Sequence, residues 1–262
     1  MQETRSSTAL ERDAVERDVL VKAMNDELAI ERFQDYCPNG LQVAGTPLVR
    51  SIVSGVTASL ALIELAVSQR ADLVLVHHGY FWRGEDPCVV GMKYQRLRHL
   101  LQNDINLVAY HLPLDAHPQL GNNAQLGEHL GFTVTGTLRE DGVGVYGECA
   151  APLSGEAMCR RLEFTLGREP IWVPAGTHPI RRVAWCTGGA QSMLSTAARF
   201  GVDAYISGEI SEQTTHEARE LGVHYFAAGH HATERYGVQA LGNWCADRFG
   251  VRHCFADVSN PA

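Results

Sequence analysis

The feature of this sequence that most limits its fold is a unit that occurs twice. RSIVSGVT, a helical stretch and ADLVLVHHG run from Arg50 to Gly79, and RRVAWCTGG, a second helical stretch and GVDAYISGE run from Arg181 to Glu209. The interval from Arg50 to Asp72 is 22 residues, and so is that from Arg181 to Asp203. Each copy reads as strand, helix, strand. The strands are continuously apolar, the pattern of a parallel sheet covered on both faces. In this register His77 matches Gly208 and His78 matches Glu209, so polar residues stand at equivalent strand ends in both copies.

The alternation continues outside the repeat. Ser51–Thr57, Asp72–His77 and Asn106–His111 read as strands, with helices over Leu60–Gln69 and Lys93–Asn103. Arg182–Thr187, Ala204–Ser207 and Val223–Ala228 read as strands too, with helices over Ala190–Phe200 and Glu212–Leu221 and a last one near Thr233–Phe249. Between these sets, FTVTGTL and GVGVYGECA alternate as antiparallel strands about the Asp141-Gly142 turn, and a helix follows over Gly155–Leu166. ALERDAVERDVLVKAMNDEL predicts an N-terminal helix, and FQDYCPNGLQVAG, with its Pro38-Asn39-Gly40 run, a loop. The expected fold is α/β: duplicated units with mixed, mostly parallel sheets covered by helices. Residues 1–131 form the first half and 132–262 the second, together one compact unit with a site between the halves.

Composition narrows the function. Seven cysteines, odd in number and never spaced C-x-x-C, argue against a disulfide framework and a zinc ribbon. A net charge of −8 gives no general attraction for nucleic acid, although Arg96, Arg98, Arg181 and Arg182 could form a local basic rim. No signal-peptide pattern and no run of 18 apolar residues occurs, so a cytoplasmic protein that does not enter the membrane is expected. Twelve histidines are the compositional excess that calls for an explanation.

In open parallel sheets, ligands gather beyond the carboxyl ends of the strands. His77 and His78 end one strand before Gly79, which permits a turn; His111, Asp115 and His117 follow another, with Asn122 or Asn123 placed to cap a helix. In GHHATERYG, His230 and Glu234 are four apart and share one face of a helix start, while His231 points elsewhere and Thr233 could serve as a cap. Each cluster alone is also read as ordinary strand-end or helix punctuation. Their combination offers three imidazoles and two carboxylates without cysteine, a set suited to two zinc, iron or manganese ions flanking an activated water. Glu209, His216 and His231 are candidates for supporting groups or proton carriers, and Asn39 and Gln42 for substrate contacts.

At FQDYCPNGLQVAG, LVHHGYFWRGE, HLPLDAHPQLGNNAQL, SGEISEQTTHEA and AGHHATERYG the chain resembles the dinuclear-metal family of NGG-interacting factor three, in its shorter bacterial form. Members are often labelled GTP cyclohydrolase I type 2 homologues. The resemblance implies two divalent metal ions held by His77, His78, Asp115, His230 and a bridging Glu234, and a homo-oligomer, a toroidal hexamer. No P-loop accompanies it. The expected function is a metal-dependent hydrolase, GTP cyclohydrolase-like, with Glu209 and His231 as catalytic candidates and a small-molecule substrate. The alternatives are a metal-dependent phosphoesterase or amidohydrolase on a small metabolite, and a non-enzymatic metal-binding scaffold.

Overall fold

In the computed structural model, which describes residues 14–262, the repeated 22-residue interval has a hydrogen-bond basis. Asp72 Oδ2 accepts from the backbone N–H of Arg50 (2.8 Å) and Ser51 (3.0 Å). Asp203 Oδ2 accepts from those of Arg181 and Arg182, both at 2.8 Å. Each carboxylate thus ties the start of its own strand to the start of the strand before it. That sets the parallel register, in which Ile52 pairs with Leu73 and Val183 with Ala204.

Two sheets result. The first runs in the order Arg252–Phe255, Ser51–Thr57, Leu73–His78, Asn106–Ala109 and Gly40–Val43, parallel except for the last strand. The second runs Phe132–Thr137, Val145–Leu153, Ile180–Cys186, Ala204–Ser207, His224–Ala227 and Ile171–Val173. Its middle three strands are parallel and its flanks antiparallel. An antiparallel edge strand closes the same side of both parallel cores. The mixed, mostly parallel α/β architecture is the one the sequence pattern predicts.

Burial explains the unbroken apolar runs. On strand Leu73–His78, Val74 and Val76 pack under helices Leu60–Ser68 and Gly91–Gln102, whereas Leu73 and Leu75 face helices Arg17–Leu28 and Arg235–Phe249. With apolar layers on both faces, alternate polar positions would each bury an unpaired group. The second sheet is covered likewise, by Asn122–Leu130 and Gly155–Leu166 on one face and Leu194–Ala198 and Glu212–Leu221 on the other.

Several local expectations change. Gly40–Val43, read as loop, is a strand, and Arg252–Phe255 returns to the first sheet, so the division at residue 131 does not coincide with the division between sheets there. Of the expected N-terminal helix, Arg17–Leu28 forms and residues 9–13 lie outside the described part. Helix Asn122–Leu130 is capped by neither asparagine, since its N-cap position is Gly121. The last helix is split: His230–Thr233 and Arg235–Phe249 meet at Glu234, whose backbone (φ −104°, ψ 8°) leaves the helical range. Among the described residues no helix is long and apolar enough to cross a membrane.

Candidate metal centre

The carboxyl ends of the two sheets deliver side chains to one buried cluster. His77 and His78 end their strand, His78 still paired with Thr57, and their ring centroids lie 4.6 Å apart. Asp115 comes from the short helix Leu112–Ala116, His230 from the helix after strand His224–Ala227, and Glu234 from the break behind it. Among the described residues four groups of three could hold a metal ion: His77 with His78 and His111, Asp35 with Cys37 and His111, and the two triads that share Glu234, His77 with Asp115 and His78 with His230. Glu234 divides its oxygens between these two triads. Oε1 lies 3.5 Å from His77 Nε2, and Oε2 lies 3.3 Å from His78 Nε2 and 3.2 Å from His230 Nε2. His77 Nε2 is also 3.5 Å from Asp115 Oδ1.

The opposite ring nitrogens are already engaged. His77 Nδ1 donates to the Tyr110 carbonyl (2.8 Å), His230 Nδ1 donates to Glu209 Oε1 (2.7 Å), and His78 Nδ1 lies 3.2 Å from Thr57 Oγ1. In the neutral ring, donation through Nδ1 leaves the Nε2 lone pair facing the cluster, the arrangement that orients imidazole ligands at metals. Asp115 is held just as firmly. Its Oδ1 accepts from Asn122 Nδ2 (2.9 Å) and Thr187 Oγ1 (3.3 Å), and its carbonyl accepts from Asn123 Nδ2 (3.1 Å). Asn122 Oδ1 in turn accepts from Gly237 N–H at 2.8 Å, tying this corner to the start of the last long helix. Gly188, at φ +69°, is required by close approach: a Cβ there would collide with Glu234 Oε1 and stand 3.1 Å from His230 Nε2.

Electrostatics show what the cluster lacks. Burial alone would push His77 down, yet the Asp115 and Glu234 carboxylates outweigh it and raise this imidazole to about 9. His230, likewise opposed by burial, is raised to about 9 by Glu234 and Glu209. Burial pushes His78 down to about 3, with Glu234 opposing and the other imidazoles reinforcing. Glu234 resists burial and stays well below the usual carboxylate range through His77 and His78, while burial raises Asp115. Two buried carboxylates here demand positive charge.

Divalent cations fit that demand. His77 Nε2 and Glu234 Oε2 are buried without a hydrogen-bond partner, an arrangement that costs stability unless something binds them. The donor spacings of 3.2–3.5 Å match the roughly 3.4 Å edge of a tetrahedron of donors around an ion with bonds of about 2.1 Å. Nitrogen and carboxylate donors without thiolate suit borderline transition ions better than calcium or magnesium.

Other candidates are placed elsewhere. His231 Nε2 pairs with Asp257 Oδ1 at 2.8 Å and belongs to neither triad. His216 is exposed beside Glu212, and His117 Nδ1 accepts from the N–H groups of Gln119 and Leu120. Thr233 does not cap a helix start; its hydroxyl donates to the Gly229 carbonyl and accepts from Gly188 N–H. Asn39 donates to Asp35 Oδ2 and accepts from the N–H of His111, and Gln42 donates to the Pro38 and Tyr80 carbonyls and accepts from the N–H of Tyr80. The residue that sequence reading left out of the ligand set is His111. Its Nδ1 donates to Asp35 Oδ1 at 2.7 Å, and its ring lies 5.1 Å from His77 and 5.8 Å from His78. Its position at a strand end was the available signal; Asp35 had none.

Comparison with known proteins identifies the family. The family model Duf34/NIF3 (NGG1p interacting factor 3) matches residues 15–261. A Pseudomonas aeruginosa protein named GTP cyclohydrolase 1 type 2 homolog is 57% identical over 252 residues, covering 95% of this chain and all of that one. An Escherichia coli protein of the same name is 53% identical, covering 93% of this chain and 98% of its own length. Among solved structures, protein ybgI, titled as of unknown function, superposes with a TM-score of 0.92 at 52% identity over 95% of this chain and all of that one. A Thermus thermophilus protein follows the same fold with a TM-score of 0.87 at 34% identity, over 95% of this chain and all of its own. The sequence match along nearly the whole chain and the shared fold lead to one conclusion: this chain belongs to the NIF3 family.

Proposed function

We propose that this protein binds two divalent cations, zinc, iron or manganese, one on each side of Glu234, and acts as a metal-dependent hydrolase on a small molecule. The observation that carries the reading is the pair of triads sharing one buried glutamate whose Oε2, like His77 Nε2, has no partner. Bound there, paired divalent ions supply Lewis acidity and make water acidic enough to ionise near neutral pH. The protein's own part is to direct Nε2 of His77, His78 and His230 inward through Tyr110, Thr57 and Glu209, and to hold Asp115 and Glu234 away from bulk water.

His111 is the proton carrier in this reading, in preference to His231 or His216. Asp35 holds its Nδ1 and so leaves Nε2 to exchange a proton beside the triads. Glu209 positions His230. The relatives' name makes GTP the first substrate to test, with attack at C8 of its imidazole ring, followed by phosphoesters and amides. We also propose a cytoplasmic homo-oligomer, a toroidal hexamer; exposed Val90, Met92 and Phe164 support self-association, and light scattering measures it.

The test is mass-spectrometric detection of product from GTP and a small-metabolite panel, comparing metal-loaded protein with Glu234→Ala. Turnover by the first and not the second is expected. Two bound ions with no turnover of any compound would favour the non-enzymatic metal-binding role.

A further inference from the structure

We infer that the two cation sites are unequal: the His77–Asp115–Glu234 site retains its ion, the His78–His230–Glu234 site exchanges, and Glu209 sets the affinity of the exchanging one. The inference rests on the two-cation reading above and assigns each site a different task.

The difference lies in burial, charge and support. In the first site His77 is fully buried and Asp115 nearly so. In the second, the side chains of His78 and His230 are 18% and 29% exposed, so water and ligands reach this side first. The first site faces its cation with two carboxylates, the second with two neutral imidazoles and the shared one. Glu234 is common to both, so the charge difference between the sites is the one carboxylate that Asp115 adds to the first. Support differs as well. His77 is fixed by a backbone carbonyl inside the sheet, and Asp115 by three side chains from two other segments.

His230 has a single side-chain support on its outer nitrogen, Glu209 Oε1 at 2.7 Å. Glu209 is itself 45% exposed, and Gln191 Nε2 donates to its other oxygen at 3.3 Å. A carboxylate behind an imidazole makes the ring a stronger donor and fixes its direction. Glu209 is thus a positioning residue for one site only, at the end of the strand copy that matches His78. His77 and Asp115 would hold the retained ion and His78 and His230 the exchanging one, with Glu234 common to both.

The test is a Zn2+ titration of chelator-stripped protein against a chromophoric chelator, with dissociation rates measured by chelator challenge. Wild type should take up two equivalents in two resolved phases, the weaker one leaving at least about tenfold faster. Glu209→Ala should weaken only that phase, by roughly 10- to 100-fold, and Glu209→Gln, which keeps an acceptor oxygen, by less. Asp115→Asn should weaken the tight phase, with circular dichroism confirming the fold. Two indistinguishable phases in wild type, or a Glu209→Ala protein in which both phases or neither shift, would overturn the inference. Absence of any Zn2+ uptake by wild type would instead remove the two-cation reading beneath it.

Discussion

Loading this centre with cations must expel protons, and the imidazoles set their number and pH range. His77 and His230 are both raised to about 9, whereas His78 is pushed down to about 3. Near pH 7 the metal-free protein therefore carries a proton on His77 and on His230 and none on His78. Each protonated ring must lose its proton before Nε2 can bind, and each site holds one such ring. Because the bound state contains neutral rings, affinity rises about tenfold per pH unit for each cation below about 9 and levels off above it. Two units lower, at about pH 7, the penalty is roughly 100-fold, or about 3 kcal/mol, per cation. Calorimetric titration with Zn2+ in buffers of different ionisation enthalpy counts the protons released. At least two per chain are expected near pH 7, the count dropping by two as the pH passes about 9. A count of zero near neutrality, or an affinity that does not change between about pH 6.5 and 8.5, would refute the reasoning.

Further outcomes follow from single residues. Gly188→Ala places a methyl group against Glu234 Oε1 at φ +69°, so it should lower both zinc content and the melting temperature, costing roughly 1–3 kcal/mol of stability. Asp72→Ala and Asp203→Ala each strip the acceptor from two strand-starting N–H groups; urea unfolding should show losses of about 1–2 kcal/mol each, nearly additive because the sites lie in different sheets. Asp35 is opposed by burial but held down to about 2 by His111 and Asn39. Its contribution, roughly 2 kcal/mol, is complete above its unfolded value near 4 and lost as the pH falls through about 2. Asp35→Asn should therefore flatten the acid limb of stability measured by urea unfolding across that range.

The strand–helix–strand units were legible because each is local: an apolar strand, a helix and an aspartate 22 residues on complete one hydrogen-bonded motif. The cluster of His77, His78, Asp115, His230 and Glu234 was legible for a related reason, since strand ends in parallel sheets converge and these side chains are polar where the strands are not. What escaped depends on partners far along the chain. Gly40–Val43 is four residues with a glycine and a bulge, and it becomes a strand only through Asn106–Ala109. Arg252–Phe255 is short and part polar, and it is a strand only beside Ser51–Thr57. The Asp35–His111 pair spans 76 residues, beyond any local spacing rule. That His231 points away from His230 was legible, since adjacent side chains on a helical turn diverge, but its partner Asp257, 26 residues on, was not.

The central claim is that one glutamate stands between two cations. Anomalous diffraction from crystals of the metal-loaded protein tests it most directly. The account predicts two peaks flanking Glu234, one against His77 and Asp115 and one against His78 and His230. No peak after loading, or a single peak that does not involve Glu234, would contradict it.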